Sequence, residues 1–353
     1  MGLNGPMDRE KIERFLDRFV GYAAGATTVA LLAVADRSGL SRWLGQNGGG
    51  SAAEIAAGAD LDQRYVTEIL SGLAAAGVVE HGDGVFTLPP EHAVLIADES
   101  SPYFMGGWLD MLPDAMGNLD RLAEVSVKGG GIPFDEFGEG LTKGLDRANA
   151  PSQRVLLIRK WLPAVPGLVT RLETGVRVAD VGCGTGTAAI EMARAFPGSD
   201  VVGFDLSGPA LDLARSRSRG VDNLTFEARS VEEIPVAPGF DLVTAFDVIH
   251  DLTAPLAGLT RIREALRPGG VFLMMEPNVG SDLDDNLGDI GALIYGISTL
   301  HCMTQSLAGG GAGLGAAWGR ERAEETAEEA GFASFDRLDE ISNRFSAFYL
   351  LRP

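Results

Sequence analysis

The sequence predicts an α/β protein: a sheet of mostly parallel strands wrapped by helices, behind a smaller helical unit that ends in a β-hairpin. Three observations carry this. From Val178 onward, apolar strand segments alternate with helical segments, the pattern of a parallel sheet. The first of those strands runs into three alternating glycines, Gly182, Gly184 and Gly186, and then into a helix. Before residue 100 the order is helix, helix, hairpin. A length of 353 residues accommodates two domains, and an apolar fraction of 45% suits ordinary packed cores.

Residues 8–45 carry two helical patterns. Ile12, Phe15, Leu16 and Phe19 repeat at helical spacing, and Thr28 to Leu40 is a second, more apolar stretch ending at Gly39. Such a stripe serves either dimerisation or packing within its own domain. Gly21 to Ala35 is too short to be a membrane span and reads as a buried helix. Ser51-Ala-Ala-Glu54 is a capping box. Asp62 caps a helix from Gln63 to Ala76 that ends at Gly77. Val78 to Leu88 alternates around a His-Gly-Asp-Gly turn, the pattern of a hairpin. This order resembles a winged helix, and residues 1–100 are expected to form a dimerisation or capping domain. Residues 101–166 read as a helical linker, with helices over Tyr103–Val127 and Gln153–Val165 and a glycine loop at 129–131. The catalytic domain is expected at 167–353.

The glycine loop carries the chemistry. Glycines let a backbone turn tightly and approach a ligand where a Cβ would clash. About 20 residues on, a second strand ends at Asp205, placed to accept from both hydroxyls of a ribose. The spacing is G-x-G-x-G, not the G-x-G-x-x-G of dinucleotide sites, and Asp180 ends the preceding strand. Further along, Phe240 to Asp251 reads as a fourth strand and its loop. Leu266 to Pro277 reads as the turn into a fifth strand, and Ala330 to Leu351 as a last helix and closing antiparallel pair. From about Gly175 to Pro353 the chain resembles the class I S-adenosylmethionine-dependent methyltransferases. Its order of domains resembles a bacterial small-molecule methyltransferase family with an N-terminal winged helix, some members of which are labelled transcriptional regulators.

The resemblance implies a Rossmann-like domain with a mostly parallel seven-stranded sheet, and S-adenosylmethionine as cofactor, S-adenosylhomocysteine as product. It implies that Asp180 holds the methionine ammonium and Asp205 the ribose. Gly182, Cys183, Gly184, Gly186, Leu206, Arg229, Ser230, Val231 and Phe246 would line the same site. Ser230 stands where the family commonly has an acidic acceptor for the adenine amino group, and Glu232 is the nearby substitute. Cys183 packs as a small residue of the loop.

Residues 278–316 form an insertion at the carboxyl edge of the sheet. An acidic piece is followed by an apolar helix, Ile290 to Met303, and a glycine run at 309–315. There it is either a lid over the active site or a surface loop. In-line methyl transfer needs alignment and exclusion of water, plus a base where the nucleophile arrives protonated. The candidates are His250 with Asp247, on the loop after the fourth strand, and His301 in the insertion. Asp251 and Glu276 are expected near substrate. At helical spacing Ser298, His301 and Gln305 share one face of the insertion helix, a substrate stripe or a polar outer face. Asp247, His250, Asp251 and Glu276 do not match the metal pattern of catechol-type methyltransferases, so no metal is expected.

The charge narrows the function further. With 29 basic against 49 acidic residues the net charge is −20, which argues against nucleic-acid and anionic-membrane partners. Residues 1–150 hold 11 basic and 22 acidic residues, and the second winged-helix helix has one basic residue, Arg64. The expected activity is methyl transfer to O, N or C of a small molecule, by a homodimer. A ligand-sensing regulator with a vestigial methyltransferase domain is the alternative. Two cysteines, too few for a disulfide framework, and no basic-then-apolar leader make a cytoplasmic location the expectation.

Overall fold

The computed structural model describes residues 7–353, and the chain divides into two compact units, Met1–Pro113 and Asp114–Pro353. The division falls inside the helix Gly107–Met116, within the stretch read as a linker. The start of that stretch therefore goes with the N-terminal unit and the rest with the second.

The N-terminal unit opens on one continuous helix, Arg9–Arg37, where the sequence suggested two. Asp8 caps it, accepting from the backbone N–H of Glu10 and Lys11 at 3.0 and 3.2 Å. The break comes only at Gly39, whose φ of +81° starts the next helix, Leu40–Asn47. The expectation of a buried helix over Gly21–Ala35 is corrected, since only Ala33 and Ala35 of Arg9–Arg37 are buried. Ile12, Phe15, Leu16 and Phe19 stand about half exposed. By length and mean hydropathy (1.5 over 18 residues) this helix is apolar enough to cross a bilayer.

The rest of the unit follows the sequence pattern. Ser51 and Glu54 close a reciprocal capping box on the helix Ala52–Ala59. Asp62 caps Gln63–Ala75. Strands β1 (Gly49–Gly50), β2 (Glu80–Gly82) and β3 (Val85–Thr87) form a small sheet in the order β1-β3-β2. Asp83 and Gly84, both at positive φ, make the tight turn of the β2–β3 hairpin.

In the second unit, β4 (Arg177–Val181), β5 (Asp200–Asp205), β6 (Leu224–Ala228), β7 (Phe240–Phe246) and β8 (Leu266–Pro277) are parallel. β9 (Ser334–Arg337) and β10 (Ser346–Arg352) close the sheet antiparallel, in the order β6-β5-β4-β7-β8-β10-β9. Because side chains alternate along a strand, each strand feeds two cores. Val178, Val201, Leu242 and Leu273 enter one. Ala179, Val202, Val243 and Phe272 enter the other. Burial on both faces explains why these strands read as nearly continuous apolar runs.

Two helical expectations change. The stretch Tyr103–Val127 is two helices, Gly107–Met116 and Leu119–Lys128. The helix placed at Gln153 begins at Glu139, runs through Pro151 to Leu156 and passes into a π-helical turn, Leu157–Trp161. The insertion is ordered: helix Asp289–Ile297, a π-helical turn Ser298–Cys302, then helix Met303–Ala308. Ser306 Oγ donates to Leu252 O at 3.1 Å and the Ala312 N–H to Thr253 O at 3.0 Å, tying the insertion to the loop after β7. On the other side the Ile132 N–H donates to Thr304 Oγ1 at 2.9 Å.

Candidate active site

The site lies at the carboxyl ends of β4, β5, β7 and β8, where a parallel sheet offers its loops to ligands. Gly182, Gly184 and Gly186 all take positive φ, at +63°, +53° and +80°. A Cβ on Gly182 would strike the Val248 side chain, and one on Gly186 would strike Phe226 and Ala214. Asp205 anchors the loop: its Oδ2 accepts from the Gly184 N–H at 2.8 Å, and its Oδ1 from the Ser207 N–H at 2.7 Å. A carboxylate has further lone pairs, so each oxygen keeps room for a ribose hydroxyl.

Asp180 is in register with Thr244 of β7, whose hydroxyl donates to Asp180 Oδ1 at 2.7 Å. Its Oδ2 is buried with no partner. Burial pushes the carboxyl up to about 7, against the pull of the Thr244 hydroxyl and the Ala189 backbone N–H. An unpaired buried carboxylate oxygen beside a glycine loop suits a cationic group, and the methionine ammonium of S-adenosylmethionine is one. The residues present therefore fit that cofactor.

The remaining cofactor candidates are placed unevenly. Leu206 is largely exposed next to Asp205, an apolar surface free to meet a base. Ser230 is half-buried at the start of the turn Val231–Glu233 and makes no capping bond. Arg229 Nε pairs with Glu227 at 2.7 Å. Val231 and Phe246 belong to the cores, Phe246 with its ring 5.6 Å from Trp161. Cys183 is partly buried, its N–H on Phe204 O.

Sequence reading missed Asp146. Arg217 donates to both its oxygens, at 2.9 and 2.8 Å, and Thr185 of the glycine loop donates to it as well. Burial opposes its charge, but these hydrogen bonds prevail and hold its carboxyl below the usual range. The helix Glu139–Leu156 thereby pins the loop, a long-range contact with no local signal.

The second half of the site gathers on His250. Its Nδ1 lies 2.6 Å from Glu276 Oε2 and its Nε2 3.4 Å from Asp251 Oδ1. Glu276 is buried at the end of β8. It also accepts from the Ile249 N–H at 3.0 Å and from Trp318 Nε1 at 3.0 Å. Burial disfavours the charged imidazole, but the charges of Asp251 and Glu276, and the imidazole's hydrogen bond to Glu276, outweigh it and hold His250 well above its ordinary value. Asp247 takes a left-handed φ of +57°, uncommon outside glycine. Burial pushes its carboxyl up to about 7.

From the insertion, the π-helical turn presents His301 and Cys302, both buried. Such turns concentrate at functional sites because the extra residue re-aims side chains. It also changes the expected stripe. Ser298 is buried against Gly315, His301 is buried, and Gln305 is only partly so. His301 sits between the rings of Phe134 (5.9 Å) and Phe137 (5.3 Å, edge-on), with Nδ1 unpartnered. Burial lowers its value, keeping the ring neutral. The structure thus brings His250, Asp251, Glu276 and His301 together and adds Cys302 and Trp318. Neither addition has a local sequence signal.

Comparison with known proteins agrees with this geometry. Residues 172–331 match the family model "Methyltransferase domain", and residues 26–98 match the "Rv2258c-like winged HTH domain". The chain is similar to a trans-aconitate 2-methyltransferase of Deinococcus radiodurans, 36% identical over 29% of this chain and 38% of that protein. It is similar to a ubiquinone biosynthesis O-methyltransferase of Cereibacter sphaeroides, 36% identical over 28% of this chain and 40% of that one. The chain thus spans about two fifths of the length of these curated relatives. Among solved structures, human N-acetylserotonin methyltransferase in complex with S-adenosylmethionine superposes with a TM-score of 0.71 at 20% identity. The match covers 100% of this chain and 99% of that one. An O-methyltransferase family protein of Burkholderia thailandensis gives 0.69 at 17% identity, covering 96% and 97%. Residues 172–331 thus match a methyltransferase domain and residues 26–98 an Rv2258c-like winged HTH domain, in a chain with the fold of the solved methyltransferases.

Proposed function

We propose that this protein methylates a hydroxyl group of a small molecule, using S-adenosylmethionine. The observation that carries the choice of oxygen is the buried His250–Glu276 pair: an oxygen nucleophile arrives protonated and needs a base, and this is an imidazole with an orienting carboxylate. The cofactor supplies the electrophilic methyl group. Asp180 takes its ammonium, Asp205 its ribose hydroxyls, and Leu206 one face of the base. Glu276 accepts from Nδ1–H of His250, and Nε2, which carries a proton at rest beside Asp251, passes that proton to Asp251 before it receives the acceptor's. His301, neutral and bounded by Phe134 and Phe137, orients an aromatic or otherwise flat acceptor. The insertion and Ile132 keep water out.

We further propose a cytoplasmic homodimer, with the exposed face of Arg9–Arg37 as its contact. The same apolar face would otherwise remain in water. No nucleic-acid role is assigned to the winged helix, because Arg64 is paired with Glu68 on the same helix and the unit is acidic. The test is a screen of phenols and other hydroxyl compounds with methyl-labelled S-adenosylmethionine. His250→Gln should cut turnover roughly 10²–10⁴-fold and leave cofactor affinity unchanged. Equal turnover by both proteins would rule out the base, and methylation of amines alone would rule out the oxygen acceptor.

A further inference from the structure

The structure assigns a second ligand to the buried cluster: His250 Nε2, Asp251 Oδ1 and Cys302 Sγ form a site for a thiophilic divalent cation, with zinc the best match. Among the described residues, these are the three metal-capable groups that converge, their ligand atoms lying within 4.8 Å of one another. The Nε2–Oδ1 separation of 3.4 Å is close to the edge of a tetrahedron with bonds of about 2.0–2.2 Å. Cys302 Sγ lies within 4.8 Å of both His250 Nε2 and Asp251 Oδ1, so its sulfur faces the same point.

Three further features separate this cluster from a chance gathering of polar groups. Asp251 Oδ1 is buried, and its one close contact, the ion pair to His250 Nε2 at 3.4 Å, does not reach hydrogen-bond geometry. Such atoms are rare in folded proteins and call for an explanation. His250 carries the accessory contact typical of metal-ligating histidines: its other nitrogen, Nδ1, is held by Glu276 at 2.6 Å, which fixes the ring and raises its basicity. Glu276 is fixed in turn by Trp318 Nε1. Finally, Asp251 and Glu276 place a carboxyl group at each nitrogen of one imidazole, an arrangement that favours positive charge at that point.

Ligand type selects the metal. Thiolate and imidazole favour zinc over magnesium or calcium, which prefer all-oxygen shells. Three protein ligands leave a fourth position open, as in sites that bind a substrate or water oxygen. Binding would displace the Cys302 thiol proton, and any proton on His250 Nε2, to solvent. Zinc and the acceptor's proton then compete for Nε2, so zinc inhibits hydroxyl methylation. That last consequence rests on His250 acting as the base; the binding itself does not.

The test uses the full-length protein, stripped with chelator and titrated with Co²⁺ as the spectroscopic probe. The expected result is visible d–d absorption together with a near-ultraviolet thiolate-to-cobalt band, both removed by stoichiometric Zn²⁺. Cys302→Ser should abolish the thiolate band, whereas Cys183→Ser should keep it. Glu276→Gln should weaken cobalt affinity roughly 10–100-fold. Cadmium NMR of the wild-type protein, which needs no variant, should report one sulfur ligand. Absence of the cobalt bands, or a thiolate band that survives Cys302→Ser, overturns the site. If the bands are absent but turnover still depends on His250, the zinc inference fails and the methylation reading stands. If they are present without hydroxyl methylation, the site stands and that reading fails.

Discussion

Cofactor binding should release a proton from Asp180, and calorimetry reads this directly. With its value at about 7, the group is roughly nine-tenths protonated at pH 6 and half protonated at pH 7. Pairing with an ammonium group requires the charged form. Titrating S-adenosylmethionine in buffers of different ionisation enthalpy should therefore give about 0.9 proton released at pH 6 and about 0.5 at pH 7. Apparent affinity should weaken towards tenfold per pH unit below 7, about 1.4 kcal/mol. The ligand's own amino group titrates near 7.7–8.0, so the useful window ends near pH 7.5. Asp180→Asn, which keeps the shape and removes the proton, isolates the contribution. The stability sign is opposite for the free protein. Its folded-state value lies above the unfolded value of about 3.9, so Asp180 stabilises the fold most at low pH and loses that contribution as pH rises towards 7. Stabilisation by cofactor should accordingly grow from pH 6 to 7.5. Superimposable proton release by wild type and Asp180→Asn would refute the assignment of Asp180 to the ammonium.

Gly182→Ala places a methyl against Val248 at a φ of +63°. It should cost about 1–3 kcal/mol in denaturant unfolding and abolish cofactor binding; an unchanged midpoint would contradict the close approach. Trp318→Phe removes a donor to the buried Glu276. Its loss should destabilise by about 1.5–3 kcal/mol, read from thermal unfolding of an otherwise native spectrum. Phe15→Asp combined with Phe19→Asp should turn a dimer into a monomer in sedimentation velocity without unfolding the winged helix. An unchanged sedimentation coefficient would place any dimer contact elsewhere.

What the sequence made legible was local. The three glycines announced their left-handed backbone, and Asp205 announced the strand end that anchors them. Ser51 with Glu54 and Asp62 marked helix starts that the structure reproduces. Burial on both faces made β4, β5, β7 and β8 readable as apolar runs. What stayed hidden depended on distant partners or on departures from the 3.6-residue period. Nothing near Asp146 points to Thr185 or Arg217. Cys302 gained meaning only because a π-helical turn brings it beside His250, while ordinary helical spacing had paired His301 with Ser298 and Gln305. The helix Arg9–Arg37 was divided in two because a run of alanine and glycine interrupts its apolar pattern, yet neither Gly21 nor Gly25 breaks it.

The unpaired atoms argue for where the chemistry lies. Folded proteins satisfy nearly all buried polar groups, because an unmet one costs about 1–3 kcal/mol. Among the described residues four side-chain atoms are buried without a hydrogen-bond partner: Arg177 Nη1, Asp180 Oδ2, Asp251 Oδ1 and His301 Nδ1. Arg177 lies at the opposite, amino end of the sheet and has the Phe240 ring 4.8 Å beneath its guanidinium, a contact that compensates a cation. The other three lie at the carboxyl edge or in the insertion tied to it. Two are acceptors on carboxyl groups and one belongs to a neutral imidazole, so together they ask for positive charge and for a donor. A cofactor ammonium answers the first, a divalent cation the second, and a substrate hydroxyl the third. A fold serving stability alone would have filled these positions, as it did with Ser199, whose hydroxyl donates to Leu172 O and accepts from the Val176 N–H.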